Sequence, residues 1–310
     1  MKSFICPTLA IDDITLPDTV LTKVVGGSST YAALASSLFA PTVLGSIVGN
    51  DFPEKYLTFL AKRGVDTRGV QHSKKPSFHW VAKYSDDLHD VKTIKNELNA
   101  FEDFRVPPLK KYTKGCYSAF ISNIDPDIQL KILKLLPKKT ITIIDSMDLW
   151  MIEKRSALKK AIKLADIFMV SEPEAEVLVQ EKLPLPSLIE RLMLLGPKVV
   201  IYKRGEHGIA MYGKMGTLIV PSYPLTFAVD PSGAGDALGG AIAGVLSRLG
   251  RFDRQSMASA MVLGSIIASF TVEGYGTEGL EQVILPEVIN RAKVFLSQLP
   301  CEDHINLIKP

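Results

Sequence analysis

The most informative stretch of this chain is Val229-Asp230-Pro231-Ser232-Gly233-Ala234-Gly235-Asp236-Ala237-Leu238-Gly239-Gly240-Ala241. It follows a run that we expect to be a strand, and its apolar residues from Ala237 onward recur at helical spacing. The stretch therefore predicts a tight turn that opens a buried helix. Gly233 and Gly235 permit the turn, because glycine carries no Cβ. The first N–H groups of a helix have no partners within it, and with the helix dipole they form an anion site.

Asp236 stands in the first turn of that predicted helix. A carboxylate there can take the proton of an attacking hydroxyl group while a phosphoryl group rests on the adjacent amides. We therefore predict a phosphoryl-transfer site with Asp236 as base and with Gly233, Ala234 and Gly235 as anion hole. The spacing alone fits equally well a carboxylate that only caps a helix and glycines that only form a turn.

Outward from this stretch, β-rich runs alternate with amphipathic helical runs from about residue 115 onward. The predicted strands are Cys116–Ser122, Thr140–Asp145, Ile167–Ser171, Lys198–Lys203 and Leu225–Val229. The predicted helices are Pro126–Leu136, Lys154–Ala165, Glu174–Gln180 and Leu188–Leu195. Such alternation is typical of an α/β fold with a mostly parallel sheet covered on both faces. Ligands bind such folds beyond the carboxyl ends of the strands.

The segment 71–100 interrupts the alternation. Phe78–Tyr84 and Val91–Leu98 are each predicted to be a strand, with a polar turn and no crossover helix between them. We predict a β-rich flap that excludes water during phosphoryl transfer, and an ordinary surface hairpin is the alternative. The aromatic residues Phe78, Trp80 and Tyr84 fit either stacking on a planar base or packing within the flap.

Composition restricts the class of protein further. The chain has 310 residues, 46% of them hydrophobic and 22% charged, which fits one large α/β domain. A net charge of +3 gives no reason to expect a nucleic-acid partner. Three scattered cysteines indicate neither a zinc site nor a disulfide framework, so we expect reduced thiols and a cytoplasmic location. The amino end lacks the pattern of a signal peptide, and the longest apolar run is too short to span a membrane.

Two glycine-containing stretches resemble motifs of the ribokinase, or PfkB, family of carbohydrate and nucleoside kinases. Asp230–Asp236 resembles the family's Asp-Thr-x-Gly-Ala-Gly-Asp motif, with Pro231 in place of Thr. Gly26-Gly27-Ser28-Ser29-Thr30-Tyr31 resembles its Gly-Gly motif, although many members carry Asn where Tyr31 stands. The resemblance covers about residues 5–295. It implies a ribokinase-like three-layer sandwich: a single kinase domain over residues 1–310, with a β lid formed by about 12–24 and 71–100.

The resemblance also implies further site residues. Glu174 matches the Glu of the family's Asn-x-x-Glu motif, in which Ser171 replaces the Asn, and would organise magnesium through its waters. Asn123 and Asp145 each follow or end a predicted strand, which makes them candidates for binding the acceptor. The other acceptor-binding residues are Asp12, Gly26, Gly27 and Tyr31. The implied nucleotide-binding residues are Lys203, Arg204, Gly205, Gly208, Val272 and Gly274.

The activity that this resemblance implies is ATP-dependent phosphorylation of a hydroxyl group on a small sugar or a cyclitol such as inositol, with ATP and Mg²⁺ as cofactors. Activation by a monovalent cation and a homodimer through the lid stay open. The alternatives are a nucleoside kinase of the same fold and a non-catalytic sensor of nucleotide or sugar, against which the intact Asp236 argues. A Rossmann dehydrogenase is disfavoured, because Gly26-Gly27 lacks the Gly-x-Gly-x-x-Gly spacing. Neither a nucleic acid nor a membrane is an expected partner.

Overall fold

The structure is a computed structural model that describes residues 1–106 and 109–299. Within these ranges the strands are β1 (Lys2–Cys6), β2 (Ala10–Thr15), β3 (Val20–Gly26), β4 (Thr42–Val48), β5 (Val65–His72), β6 (Phe78–Tyr84), β7 (Val91–Glu97), β8 (Cys116–Ile121), β9 (Ile141–Ile144), β10 (Ile167–Ser171), β11 (Val199–Lys203), β12 (Ile209–Gly213) and β13 (Leu218–Val220). The helices are α1 (Ser28–Ser37), α2 (Glu54–Lys62), α3 (Leu109–Tyr112), α4 (Pro126–Leu135), α5 (Asp148–Glu153), α6 (Arg155–Leu164), α7 (Glu172–Val179), α8 (Leu185–Leu194), α9 (Ala234–Leu249), α10 (Arg254–Thr271), α11 (Glu278–Glu281) and α12 (Leu285–Gln298). Short 3₁₀ turns cover Asn99–Asp103 and Gly205–His207.

The larger of two sheets has the strand order β13-β12-β11-β10-β9-β8-β1-β4-β5. Its strands from β5 to β11 along this order are parallel, and β12 and β13 add an antiparallel edge. Because β1 lies between β4 and β8, the direction in which the chain adds strands reverses there. Open α/β sheets form their ligand crevice at such a reversal.

Helices cover both faces of the larger sheet, so the predicted three-layer α/β sandwich is confirmed. Helices α1, α9, α10 and α12 contribute to one buried apolar cluster. Helices α4 to α8 contribute to a second cluster on the opposite face. Glycines let α9 approach α1 closely, since a Cβ at Gly240 or Gly244 would overlap the backbone of α1. This close approach sets the first turn of α9 beside the start of α1.

The smaller sheet has four strands in the order β3-β2-β6-β7. Strand β2 pairs antiparallel with β3 and parallel with β6, and β6 and β7 form a hairpin. Strand β6 has the predicted bounds, and β7 ends one residue earlier than predicted. Gln71 and His72 belong to β5 of the larger sheet. The predicted hairpin is thus half of a four-stranded layer that begins at Ala10.

One predicted strand, Leu225–Val229, is wrong. This segment is irregular, and its Phe227 side chain is 73% exposed. The Val229 N–H donates to the carbonyl of Val272 at 2.7 Å, so the segment crosses the end of α10 and leaves the sheet. The hairpin of β12 and β13 forms that edge of the sheet instead.

In the described part of the chain, no helix combines the length and apolar character that a bilayer span requires.

Candidate active site

A cavity of about 230 Å³ lies between the smaller sheet and the carboxyl ends of the larger sheet's strands. The smaller sheet and the residue after it line one side through Asp12, Phe78, Trp80, Tyr84, Asn96 and Leu98. The remaining wall comes from Thr8, Gly27, Ser28, Tyr31, Asn123, Ile124, Met147, Trp150, Ser232, Gly233 and Asp236. The cavity therefore brings the Gly-Gly motif and the Gly-Ala-Gly-Asp motif together, although about 200 residues separate them in the sequence.

Two glycines allow Asp12 to reach this cavity. Asp12 is 3% exposed, and its Oδ2 accepts a hydrogen bond from the Gly27 N–H at 3.2 Å. A Cβ at Gly26 would overlap the Asp12 carboxylate, and Gly27 has a φ of +86° close to the backbone of Thr8. Burial raises the pKa of Asp12 to about 7, although the Gly27 amide opposes the shift.

Buried acceptor oxygens without protein partners point to a polar ligand. Among the described residues, Asp12 Oδ1 and Asn123 Oδ1 are buried and have no hydrogen-bond partner. Both residues line the cavity, where Asn123 follows β8 and its amide nitrogen lies 3.0 Å from Met147 Sδ. A buried polar atom is costly when it stays unpaired, so these oxygens suit donors that a ligand brings.

Asp230 holds the loop before α9 in place through two hydrogen bonds. This residue is fully buried, and its two carboxylate oxygens accept the N–H groups of Ser232 at 2.9 Å and Gly276 at 2.8 Å. Gly233 follows with a φ of +74° and precedes α9. A Cβ at Gly233 would overlap the Tyr31 ring, so the predicted site residue Tyr31 supports the loop as well as lining the cavity. We refer to Asp230–Asp236 as the anion loop.

The smaller sheet is in contact with the anion loop. The Ser232 hydroxyl donates to the Tyr84 hydroxyl at 3.1 Å. Nearby, the Tyr275 hydroxyl donates to Asp18, in the turn between β2 and β3, at 3.0 Å. Tyr84 also belongs to a small apolar cluster with Ile14 and Leu16. The sheet thus closes one side of the cavity through specific contacts.

Asp236 lies in the first turn of α9 and lines the cavity. Burial raises the pKa of Asp236 to about 7, and the neighbouring carboxylate of Asp145 adds to the increase. Lys203 and a hydrogen bond from the Ser28 hydroxyl lower the pKa of Asp236 and limit the rise. A carboxylate whose pKa lies near neutrality is suited to accept a proton from a hydroxyl group.

Behind the anion loop, Lys203 pairs with Asp145. Lys203 Nζ lies 2.7 and 3.0 Å from the two Asp145 oxygens and 3.8 Å from Glu174 Oε2. Burial raises the pKa of Asp145 to about 6, against the influence of Lys203. Asp145 and Lys203 are absent from the cavity wall, so the structure separates Asp145 from the predicted acceptor-binding residues around it. Asp145, Glu174 and Lys203 lie at the adjacent ends of β9, β10 and β11, which explains why they meet.

The other predicted nucleotide-binding residues lie outside this cavity. Arg204, Gly205 and Gly208 form the turn between β11 and β12, in which both glycines have positive φ. Val272 ends α10, and its carbonyl accepts the Val229 N–H. Gly274 leaves no room for a side chain, because a Cβ there would lie 2.6 Å from the amide nitrogen of Gly279.

Glu174 has a structural partner as well as a predicted magnesium role. Its Oε2 accepts the Ser171 N–H at 2.6 Å, and Ser171 caps α7 in return. Among the described residues, no group of three or more acidic, histidine or cysteine side chains could hold a metal ion. A single carboxylate such as Glu174 would fit a magnesium ion that ATP phosphates carry and that keeps several waters, since Mg²⁺ loses water reluctantly.

Sequence reasoning missed several residues of the cavity wall. Met147 and Trp150 follow β9, so the rule that ligands bind beyond strand ends would have indicated them. Ser28 stands inside the quoted Gly-Gly motif, and Thr8 stands two residues after β1. Asn96 lies on β7 and carries no signal in the sequence.

Comparisons with known proteins identify the family and the fold. The family model for pfkB family carbohydrate kinases matches residues 8–282. The cytidine kinase of Thermococcus kodakarensis is 28% identical over 244 residues, which is 76% of this chain and 85% of that protein. The nucleoside kinase of Methanocaldococcus jannaschii, an archaeal member of the ribokinase family, superposes with a TM-score of 0.75 at 19% identity, over 95% of this chain and 99% of that one. The Burkholderia thailandensis nucleoside kinase in complex with inosine superposes with a TM-score of 0.76 at 18% identity, over 95% of this chain and 98% of that one.

Proposed function

Because the chain belongs to the pfkB family of carbohydrate kinases, we propose that it transfers the γ-phosphoryl group of ATP to a hydroxyl group of a nucleoside. The resemblance seen in the sequence is thereby confirmed, and the chain is a phosphotransferase of the sugar and nucleoside kinase class. The observation that carries the choice of a nucleoside is the aromatic wall of the cavity beside the anion loop.

Asp236 supports the chemical step. It lies in the cavity wall beside the amides of the anion loop, and its pKa of about 7 suits proton transfer near neutral pH. The acceptor oxygen attacks the γ-phosphorus, its proton passes to Asp236, and the bond between that phosphorus and the departing ADP oxygen breaks. The N–H groups at Gly233–Asp236 would hold the oxygens of the group in transfer.

Glu174 and the turn at Gly205–Gly208 complete this proposal on the nucleotide side. Glu174 would hold waters of a magnesium ion bound to ATP, which neutralises phosphate charge. The glycines at 205 and 208 would let the backbone come close to the nucleotide.

Asp12 and Asn123 support binding of the acceptor. Their unpartnered Oδ1 atoms are hydrogen-bond acceptors in a wall that water reaches poorly. Two neighbouring ribose hydroxyl groups would satisfy such oxygens, because each hydroxyl donates one hydrogen bond. The cost of leaving these oxygens unpaired then turns into selectivity for a ligand that carries hydroxyl groups.

Half-buried aromatic side chains support binding of a planar base. Phe78 and Trp80 line the cavity from the smaller sheet, and Trp150 lines it from α5. Their faces offer stacking to a flat ring. Tyr84 fits the packing alternative better, since it is buried against Ile14 and Leu16. Two of the similar proteins described above have nucleoside ligands in their names: one is called a cytidine kinase, and the other is a nucleoside kinase in complex with inosine.

A small sugar or a cyclitol such as inositol is the second candidate for the acceptor. The paired oxygens of Asp12 and Asn123 favour it equally, because any polyol presents neighbouring hydroxyl groups. The aromatic wall would then serve the apolar face of the ring instead of a base.

Coupled ADP release from Mg·ATP across a panel of nucleosides, sugars and inositols tests the proposal. We expect turnover on nucleosides, and a fall in kcat of about 10²- to 10⁴-fold in Asp236→Asn, because a general base contributes that much. Glu190→Gln on α8 removes an exposed carboxylate and serves as control, with unchanged turnover. Turnover on sugars or inositols alone would establish the second candidate, and normal turnover of Asp236→Asn would refute the base.

A further inference from the structure

We propose that Lys203 is a positioning residue that keeps Asp236 ionised from behind the anion loop, and not a ligand of the ATP phosphates. This inference deepens the proposed function and rests on it for the role of Asp236 as base. The family resemblance implies a nucleotide-binding role for Lys203, whereas in the structure its side chain pairs with Asp145.

Lys203 is held away from solvent. Its side chain is 16% exposed, and both oxygens of Asp145, itself 7% exposed, lie within 3.0 Å of Nζ. The ammonium group reaches the back of the anion loop, because Nζ lies 3.5 Å from where a Cβ of Gly235 would stand. Any movement of Lys203 towards a phosphate that separated it from Asp145 would break a buried ion pair, which is costly.

Several elements present ionisable or polar groups to Asp236. Asp145 follows β9, Glu174 lies on α7 and Lys203 ends β11, and all three influence Asp236 electrostatically. Ser28 of α1 donates a hydrogen bond to Asp236, and Tyr84 of β6 approaches from the smaller sheet as a neutral phenol. Three carboxylates thus share one buried region, and Lys203 supplies the positive charge among them.

Removal of the positive charge of Lys203 would raise the pKa of Asp236. Burial and Asp145 both raise the pKa of Asp236, and Lys203 lowers it. Without Lys203, Asp145 and Asp236 would be two carboxylates in one desolvated region. Like charges at close range cannot both ionise easily, so one carboxylate would keep its proton at neutral pH. If that is Asp236, it cannot accept the proton of the attacking hydroxyl group.

Lys203→Met tests the inference, since methionine keeps the length of the stem and removes the charge. We expect the acid limb of the kcat/KM profile to move to higher pH by about 1 unit, and kcat/KM at pH 7 to fall about fivefold, because one nearby charge shifts a pKa by that amount. The affinity for ATP, measured by calorimetry, should stay within about twofold, a change below 0.5 kcal/mol. Lys198→Met, on an exposed lysine beside the same strand, is the matched control and should leave the limb in place.

A charge-neutral double variant separates electrostatics from packing. Asp145→Asn combined with Lys203→Met removes one negative and one positive charge, so the limb should return close to that of the wild type. A purely structural role of Lys203 would leave the double variant as impaired as Lys203→Met. Asp145→Asn alone should move the limb to lower pH, which keeps the test valid if Lys203→Met fails to fold.

A second readout does not depend on the acceptor. Carbon NMR of labelled aspartate carboxyl groups identifies Asp236 by the signal that Asp236→Asn lacks, and its titration can be followed in each variant. An unmoved titration of Asp236 in Lys203→Met, with a KM for ATP that rises at every pH, would overturn the inference and make Lys203 an ATP ligand. A moved titration in a protein whose Asp236→Asn variant stays active would uphold the coupling and refute only the base.

Discussion

Gly233 is the residue whose replacement tests the anion loop most sharply. Its φ of +74° lies in the left-handed region, where a residue with a Cβ loses about 1–2 kcal/mol relative to glycine. An alanine Cβ would also overlap the ring of Tyr31, which is 3% exposed. The loop and the ring must separate by about 1 Å to restore ordinary van der Waals contact.

We expect Gly233→Ala to lower kcat by about 100-fold, or about 2.7 kcal/mol of activation free energy, because a misplacement of about 1 Å costs that much. The amides that would hold the phosphoryl group move with the loop. Initial rates of ADP release at saturating ATP and acceptor measure kcat, and urea unfolding measures the stability cost.

Gly115→Ala is the matched control. Gly115 has a φ of +79°, and a Cβ there would meet nothing within 4 Å. Gly115→Ala should lose about 1–2 kcal/mol of unfolding free energy, which is the loss expected from backbone strain alone in Gly233→Ala. Its kcat should be unchanged. In a Tyr31→Ala background, which removes the obstructing ring, Gly233→Ala should cost far less of kcat than in the wild type. A Gly233→Ala protein that is destabilised like Gly115→Ala but turns over normally would refute the role of the loop.

Two further substitutions test the acceptor site and the contact between the smaller sheet and the anion loop. Asp12→Asn should lower kcat/KM for the acceptor about 10- to 100-fold, since hydrogen bonds to a charged group contribute about 1.5–3 kcal/mol. The pKa of Asp12 is raised from 3.8 to about 7, so wild-type stability falls as pH rises across that interval. Asp12→Asn should make this fall shallower in thermal melts, and Asp236 and Asp145, whose pKa values are also raised, should keep their share of it. An equal fall with pH in the wild type and in Asp12→Asn would contradict a buried, ionising Asp12. Tyr84→Phe removes the acceptor of the Ser232 hydroxyl and should lower kcat about fivefold, as one hydrogen bond of about 1 kcal/mol predicts. Unchanged single-turnover rates would show that the contact between Tyr84 and Ser232 has no part in the chemical step.

The sequence predicted well those features that depend on local pattern. The strand Ile167–Ser171 has its predicted bounds, and α9 begins at Ala234, within the predicted glycine-containing turn. Both depend on short-range signals, namely a buried apolar run and the glycine at the start of a helix. The meeting of Asp12 with Asp236 depended on the family resemblance, because no local signal connects residues so far apart.

The failed strand has a physical reason, and so has one contact that the sequence could not show. The run Leu225–Val229 has the composition of a strand, but a strand also needs a partner, and β13 already ends the sheet there. Asp145 directly follows β9, as the sequence indicates, but the sequence carries no signal for the direction of its side chain. In the structure this side chain pairs with Lys203, which ends a strand two positions away in the sheet, so only the fold brings the two charges together.

The division of the cavity wall between two sheets has a consequence for how this enzyme class diversifies. Phe78, Trp80 and Asn96 line the cavity from the smaller sheet and have no part in the proposed proton transfer, whereas Asp236 lies on α9 of the larger body. Substitutions in the small layer can therefore alter which acceptor fits while the reaction machinery keeps its geometry. A new substrate preference would then arise by changes at such positions of β6 and β7, while the proposed base stays in place.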